Sequence, residues 1–92
     1  MKFEWDDVKA TANFAKHGVR FEDASQFEWG VSVDRHDLRK DYRETRVIST
    51  STIRGRVHVL VYAIRGDSVR VISLRKANKR ESSNYEKAKS KI

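Results

Sequence analysis

The segment RVHVLVYAIRGDSVRVISLRK, residues 56–76, decides the fold. It contains two runs rich in β-branched and aromatic residues, and the Gly66-Asp67 step between them is typical of a two-residue hairpin turn. A similar run precedes the segment across Ile53-Arg54-Gly55. The pattern therefore predicts three antiparallel strands, at about Glu44–Thr50, Arg56–Ile64 and Ser68–Lys76.

The N-terminal residues predict a short strand followed by a helix. Phe3-Glu4-Trp5 alternates as a strand does. Asp6 or Asp7 can then cap a helix that runs to His17, and Gly18 ends it. We expect one face of this helix to carry Val8, Ala12 and Ala15.

A second short helix is predicted over Phe21–Trp29, because apolar residues recur there at helical spacing. That stripe consists of Phe21, Ala24 and Phe27. Val31 and Val33 then suggest a strand, and Asp34–Tyr42 is expected to be an irregular charged connection.

The C-terminal residues predict a last helix. Asn78 followed three residues later by Glu81 resembles a capping box, and the helix should continue to about Lys89. Few apolar residues are available in it, so we expect it to pack lightly. The whole pattern predicts a single α+β domain, 1–92, with an antiparallel sheet of about four strands, two N-terminal helices on one face and a C-terminal helix.

The expected turns also predict which residues share a face of the sheet. A two-residue loop at Gly66-Asp67 and a four-residue loop at Thr52–Gly55 give one almost wholly apolar face, which the first two helices should cover. That face carries Val47, Val57, Val59, Val61, Ala63, Ile72 and Leu74. The opposite face is mixed, and places Arg46 beside Tyr62 and His58 beside Arg75.

The charge distribution favours a polyanionic partner. The 92 residues have a formal net charge of +7. Residues 31–76 contain 11 basic and 5 acidic groups, and nine of the basic residues are arginine. Arginine can form two parallel hydrogen bonds to a phosphate, which lysine cannot. Nucleic acid is therefore the leading partner, although a basic surface can also serve solubility alone.

Other classes of function lack their usual sequence patterns. Cysteine is absent, and the three histidines stand far apart, so no metal site is expected. The four glycines are isolated and form no phosphate-binding loop, and no serine sits in a nucleophile-elbow pattern. No apolar run resembles a signal peptide or a membrane span, and we expect a cytoplasmic protein.

The chain resembles the BrnT family of bacterial toxins along nearly its whole length. The resemblance rests on segments in both halves of the sequence: Phe3-Glu4-Trp5-Asp6, Lys16-His17-Gly18-Val19, Phe21-Glu22-Asp23-Ala24, Arg43-Glu44-Thr45-Arg46, Val61-Tyr62, Arg70-Val71-Ile72-Ser73 and Arg75-Lys76-Ala77. It implies a RelE-like fold and a ribonuclease that blocks translation. It also implies a BrnA-like antitoxin with a ribbon-helix-helix DNA-binding part, two toxins on each antitoxin dimer, and DNA contact only through the antitoxin.

The favoured hypothesis is a metal-independent endoribonuclease without a cofactor, in which the ribose 2′-hydroxyl attacks the adjacent phosphate. Arg46 and Arg75 would stabilise the developing charge, and Glu44 or His17 would be the base. The proton donor is left open among Tyr62, Lys76 and Arg80. Further RNA contacts are expected from Arg43, Arg65, Lys76, Lys79 and Arg80.

Two rival hypotheses remain open at this point. The first is a non-catalytic RNA-binding module in which Tyr62 is a stacking platform for bases. The second is an interaction protein whose charged face binds an acidic partner.

Overall fold

The computed structural model describes residues 2–39, 41 and 43–91. Within these residues, five strands, two α-helices and two short 3-10 helices follow one another. They are β1 (Lys2–Glu4), α1 (Asp7–His17), the 3-10 helices Phe21–Gln26 and Trp29–Val31, β2 (Val33–His36), β3 (Arg46–Ile53), β4 (Arg56–Arg65), β5 (Ser68–Lys76) and α2 (Lys79–Lys89). The α+β class is confirmed, but the single second helix predicted over Phe21–Trp29 is wrong.

The sheet has five strands in the order β1-β5-β4-β3-β2. The prediction of about four antiparallel strands is wrong in two respects. β1 pairs parallel to β5. Val33–His36, placed mainly in an irregular connection, pairs with β3 as β2. The end of that predicted connection, Tyr42, lies outside the described residues.

The turn between β3 and β4 is one of two positions where the register differs from expectation. It contains only Arg54 and Gly55, whose φ angles are 48° and 78°, so Ile53 pairs directly with Arg56. Positive φ at both central residues is the geometry of a type I′ hairpin turn. The predicted four-residue loop is therefore wrong, and β3 shifts by one residue against β4.

The second difference is a bulge in β5. The hairpin at Gly66-Asp67 is confirmed, because Arg65 pairs with Ser68. Tyr62 pairs with Val71, however, whereas Val61 pairs with Ser73, so Ile72 is an extra residue in β5. A bulge of this kind turns the following side chains to the other face.

These two shifts reassign the faces of the sheet. The inner face packs against α1 and the 3-10 helices, and its core is formed by Val19, Phe21, Ala24, Phe27, Ile53, Leu60, Tyr62, Val69, Val71 and Leu74. The outer face packs against α2 and buries Ile48, Val57, Val59, Val61, Ala77 and Tyr85. The prediction that the first two helices cover Val57, Val59 and Val61 is thus wrong, since a one-residue shift changes the face of every side chain.

The ends of α1 follow the prediction. The Asp6 carboxylate accepts hydrogen bonds from the backbone N–H groups of Val8 and Lys9, at 2.8 and 3.2 Å. Gly18 adopts the left-handed conformation at φ 70° and donates to the Phe14 carbonyl. The predicted apolar face is wrong, because Val8 is 79% exposed. Exposed Ala12 and Ala15 lie on that side with it.

The buried contact of α1 is made instead by Asn13. Its side-chain amide donates to the carbonyls of Val19 and Leu74, at 3.1 and 2.8 Å, and its oxygen accepts from the Leu74 N–H at 3.3 Å. β1 pairs with β5 only along Ser68–Arg70. β1 therefore leaves the backbone groups of Leu74, further along β5, without a strand partner. The side chain of Asn13 forms hydrogen bonds with them instead.

α2 begins with the predicted capping box, in which Asn78 and Glu81 hydrogen-bond to each other's backbone N–H. It packs more firmly than expected. Tyr85 is buried and its hydroxyl donates to the Val31 carbonyl at 3.1 Å. No helix in the described part of the chain is long and apolar enough to span a membrane.

Candidate functional site

The outer face of the sheet carries a group of arginines that we call the arginine face: Arg35, Arg39, Arg46, Arg70 and Arg75. Arg46 and Arg70 flank Ala63 in register. Arg75 is in register with Val59, four residues along β4 and so about 13 Å away along the strand. Arg46 and Arg75 thus share a face, as predicted, but they are not direct neighbours.

Arg75 is held by a bidentate ion pair. Its two terminal nitrogens contact the two carboxylate oxygens of Glu81, at 2.8 and 2.9 Å. Glu81 also accepts from the Asn78 N–H at 3.0 Å. Hydrogen bonds from Arg75 lower the pKa of Glu81 to about 2, against the opposing effect of burial. The guanidinium of Arg75 is therefore held in one orientation by an ionised partner.

Arg39 is held in a similar way from the segment after β2. Its guanidinium contacts both oxygens of Asp37, at 2.8 and 2.7 Å. The Asp37 side chain is fully buried, whereas that of Arg39 is 67% exposed. The Asp37 N–H donates to the Arg46 carbonyl, which ties this segment to β3. The buried carboxylate of Asp37 thus holds the exposed guanidinium of Arg39 in place.

Arg35, Arg39 and Arg75 together line a cavity of about 160 Å³, whose other walls include Val61 and Ser73. Three guanidinium groups border this small space, two of them paired with the carboxylates of Asp37 and Glu81, so their N–H donors are held around it in fixed orientations. A phosphate is the biological anion whose oxygens best match several arginines. This arginine cavity is the strongest candidate for phosphate binding in the described residues.

A second charged group lies near Arg46. Glu44 contacts Arg46 at 3.4 Å and Arg65 at 3.2 Å. Desolvation acts to raise the pKa of Glu44, but the hydrogen bonds and charges of Arg65 and Arg46 outweigh it, so this pKa lies below its usual value. Glu44 is therefore a weaker base than an ordinary carboxylate.

His17 lies at the C-terminus of α1, which packs against β5. Partial burial lowers the pKa of His17, and the charges of Lys16 and Arg75 lower it further. Its charge is thus coupled to that of Arg75. An imidazole with a lowered pKa is neutral at pH 7 and can accept a proton.

The structure does not bring Tyr62 together with these groups. Tyr62 lies on the inner face, is 7% exposed and has its hydroxyl 3.2 Å from the Ser49 hydroxyl, which donates to it. Burial raises the pKa of Tyr62 despite that hydrogen bond. The predicted Arg46–Tyr62 neighbours are wrong, because Arg46 pairs with Ala63.

The predicted pairing of His58 with Arg75 is also wrong. His58 pairs with Lys76 on β5, and its ring donates to the Arg56 carbonyl at 2.7 Å. Burial lowers the pKa of His58 despite that hydrogen bond. His58 is therefore a hydrogen-bonded residue of the inner face.

The residues predicted to make further RNA contacts lie on the surface. Arg65, which pairs with Glu44, is half exposed. The others are exposed: Arg43, Lys76, Lys79 and Arg80. Lys79 and Arg80 belong to the first turn of α2, directly before Glu81.

Sequence reasoning missed three residues of the arginine cavity region. The sequence pattern assigns Arg35 and Arg39 to an irregular connection, although Arg35 follows the alternation begun by Val31 and Val33. The sequence indicates Glu81 only as part of a helix cap, because a spacing of six residues between Arg75 and Glu81 is not a local pattern that predicts an ion pair. No group of three or more His, Asp or Glu side chains with the arrangement of metal ligands occurs among residues 2–39, 41 and 43–91.

Comparison with protein families identifies the chain. The family model for the ribonuclease toxin BrnT of type II toxin–antitoxin systems matches residues 5–81, from the end of β1 to the first turn of α2. The chain therefore belongs to the BrnT family of ribonuclease toxins. Among curated proteins no match to the chain is found.

Proposed function

We propose that this BrnT-family toxin cleaves RNA on its arginine face, without a metal ion or cofactor, by attack of a ribose 2′-hydroxyl on the adjacent phosphate. The products would be a cyclic phosphate and a free 5′-hydroxyl. The observation that carries the proposal is the arginine cavity, where Arg35, Arg39 and Arg75 surround about 160 Å³. Blocking translation follows from this activity through loss of RNA, and the cytoplasm is where we expect the toxin to act.

In this proposal Arg75 holds the scissile phosphate. Its pairing with Glu81 keeps the guanidinium oriented before RNA arrives, so little reorganisation is needed when charge develops on the phosphate oxygens. Arg39 and Arg35 add positive charge from the opposite wall. Arg46, about 13 Å further along the strand direction, is suited to a different phosphate of the same RNA or to its flanking groups.

His17 is the better of the two candidate bases. The pKa of His17 is lowered, which favours its neutral form, and the positive charge of Arg75 contributes to this lowering. The pKa of Glu44 is also lowered, and its two oxygens are engaged by Arg46 and Arg65. Glu44 is thus suited to orienting these two arginines.

The proton donor to the leaving oxygen is proposed from two exposed cations, Lys76 at the end of β5 and Arg80 in the first turn of α2. Lysine is a better acid than arginine, because a guanidinium does not release its proton in the physiological range, but Lys76 is in register with the inner-face residue His58, so the donor stays open between Lys76 and Arg80. Tyr62 is left out of this step, since its hydroxyl is buried on the inner face. Its burial also removes the stacking platform on which the rival RNA-binding hypothesis relied.

Cleavage of end-labelled RNA in excess EDTA tests this proposal directly. Arg75→Ala should lower kcat/KM by about 100-fold or more, as expected when one charge-stabilising group is lost. Arg46→Ala should also lower it and abolish toxicity. Arg20→Ala is the matched control, because Arg20 lies over the Phe14 ring of α1 and not on the arginine face.

Two outcomes would overturn the mechanism. The first is near-normal cleavage by both folded arginine variants. The second is complete loss of activity in EDTA that Mg²⁺ or Mn²⁺ restores. RNA binding without any cleavage by the unaltered protein would favour the non-catalytic rival instead.

The partner is an antitoxin, as the family description implies. We propose that it is BrnA-like, with a ribbon-helix-helix DNA-binding part, and that two toxins bind one antitoxin dimer. It should cover the arginine face with carboxylates and bury on the order of 1,200 Å² or more in total. The RelE-like character of the fold is likewise an expectation from the family resemblance.

A further inference from the structure

A second cavity adjoins the arginine cavity on the outer face. It has a volume of about 290 Å³ and lies between α2 and strands β2 and β3. The two cavities share three residues as lining, Arg35, Ile48 and Val59. A molecule whose anionic part occupies the arginine cavity could therefore extend directly into the larger one.

The walls of the larger cavity differ from those of the arginine cavity. Ile48 and Val59 are buried and form an apolar floor, and the ring of Tyr85 is held in place by the hydrogen bond from its hydroxyl to Val31. Asn84 on α2 and Thr50 on β3 add neutral polar groups to the lining, which also includes the carboxylates of Asp34 and Glu81. The volume lies at the lower limit of small-molecule sites, which suits one flat ring better than a larger ligand.

We propose that this cavity binds the nucleobase attached to the ribose next to the scissile phosphate, and that Asn84 selects it by hydrogen bonding to its edge. The proposal rests on the RNA cleavage proposed above. A base has two apolar faces and a polar edge, which matches an apolar floor with an amide near it. The side chain of Asn84 offers both a donor and an acceptor, as base edges do.

Continuity of the two cavities supports RNA as the occupant over an unrelated small molecule. A nucleotide joins an anion to a flat ring through a sugar, and the shared Arg35 lies where that sugar would pass. Splaying one base into a protein pocket is the usual way in which single-stranded RNA is recognised by sequence. We therefore expect this toxin to prefer one base beside the bond that it cuts.

The experiment uses two sets of RNA. The first consists of 2′-O-methyl hexamers of A, C, G or U, which lack the nucleophile and report binding alone by fluorescence anisotropy. The second is unmodified RNA, whose mapped ends report the base at each cut. The variants are Asn84→Ala, which removes the amide, and Ala88→Leu, which fills the cavity from α2. Ser83→Ala is the matched control, because Ser83 is an exposed residue of the same helix that does not line the cavity.

We expect the unaltered protein and Ser83→Ala to bind one hexamer at least about fivefold more tightly than the others, the lower limit for one well-paired base contact. Both cavity variants should lose that preference. Equal binding of all four hexamers by the unaltered protein, or a preference that survives in both variants, would refute the base pocket.

The two proposals fail in different ways. Cleavage without any base preference would leave the ribonuclease mechanism in place and refute the base pocket. A base preference in binding that depends on Asn84, in a protein that cuts no RNA, would support the base pocket and refute the cleavage mechanism.

Discussion

Replacing Glu81 with glutamine removes the charge that holds Arg75 while it retains the size of the side chain. The pKa of Glu81 falls from its ordinary value to about 2 in the folded protein. At full value this shift corresponds to about 3 kcal/mol of stability at neutral pH. The side chains of Arg75 and Glu81 are 35% and 29% exposed, so water screens the pair. We therefore expect Glu81→Gln to lower the free energy of unfolding by about 1–2 kcal/mol at pH 7.

The pH dependence of this loss follows from the direction of the shift. The carboxylate of Glu81 has a lower pKa in the folded protein than in the unfolded chain, so its contribution is fully present above about pH 4.5. It disappears as the pH falls toward 2, where the folded protein also takes up the proton. The unaltered protein and Glu81→Gln should consequently approach the same stability near pH 2.

Urea denaturation followed by circular dichroism measures both quantities. Glu86→Gln is the matched control, because Glu86 is an exposed residue of the same helix whose ion pair with Lys89 has a long N–O distance of 3.5 Å. It should change the stability by less than about 0.5 kcal/mol. Equal losses for the two variants at pH 7, or a Glu81→Gln loss that persists undiminished near pH 2, would show that the Arg75–Glu81 pair does not orient the site in solution.

Three further predictions concern the fold, the base and the partner. Asn13→Ala should destabilise the protein by about 2–4 kcal/mol in urea denaturation, because it leaves the buried backbone groups of Leu74 unpaired, whereas exposed Thr11→Ala should have little effect. Cleavage by the unaltered protein should fall in acid as His17 gains a proton, with a midpoint below the ordinary histidine value because the pKa of His17 is lowered; His17→Gln should lower the rate about 100-fold or more and lose that fall in acid, and an unchanged fall would exclude His17 as the base. Association with the antitoxin, measured by stopped flow, should slow as salt is raised, and a salt-independent rate would show that carboxylates do not approach the arginine face.

Features that depend on a few neighbouring residues could be predicted from the sequence. The Asp6 cap and the left-handed Gly18 belong to this class, as does the capping box of Asn78 with Glu81. The turn at Gly66-Asp67 is also of this kind. In each case the backbone conformation is decided within about four residues of chain, where steric and hydrogen-bonding preferences act directly.

Features that depend on distant strands could be predicted only in part. β2 forms because its backbone groups pair with the edge of β3, and its own residues Val33–His36 include three that are charged or titratable. The alternation of apolar and polar residues there is too short to predict a strand against so many charged residues. Arg35 and Arg39 were missed for this reason. Arg75 was identified, but its partner Glu81 belongs to the following helix, and their contact depends on how α2 packs.

The correct assignment of Arg46 and Arg75 to one face came from two errors that cancel. The two-residue turn at Arg54-Gly55 shifts β3 by one residue against β4, and the bulge at Ile72 shifts the second half of β5 by one residue against β4. Either shift alone would have placed the sheet between the two arginines, since side chains alternate between faces. With both shifts the arginines stay together, and the residues of β4 and of the first half of β5 exchange faces. The bulge thus decides which side of the sheet carries the charge, because it turns Arg75 away from the core formed by Leu60 and toward α2.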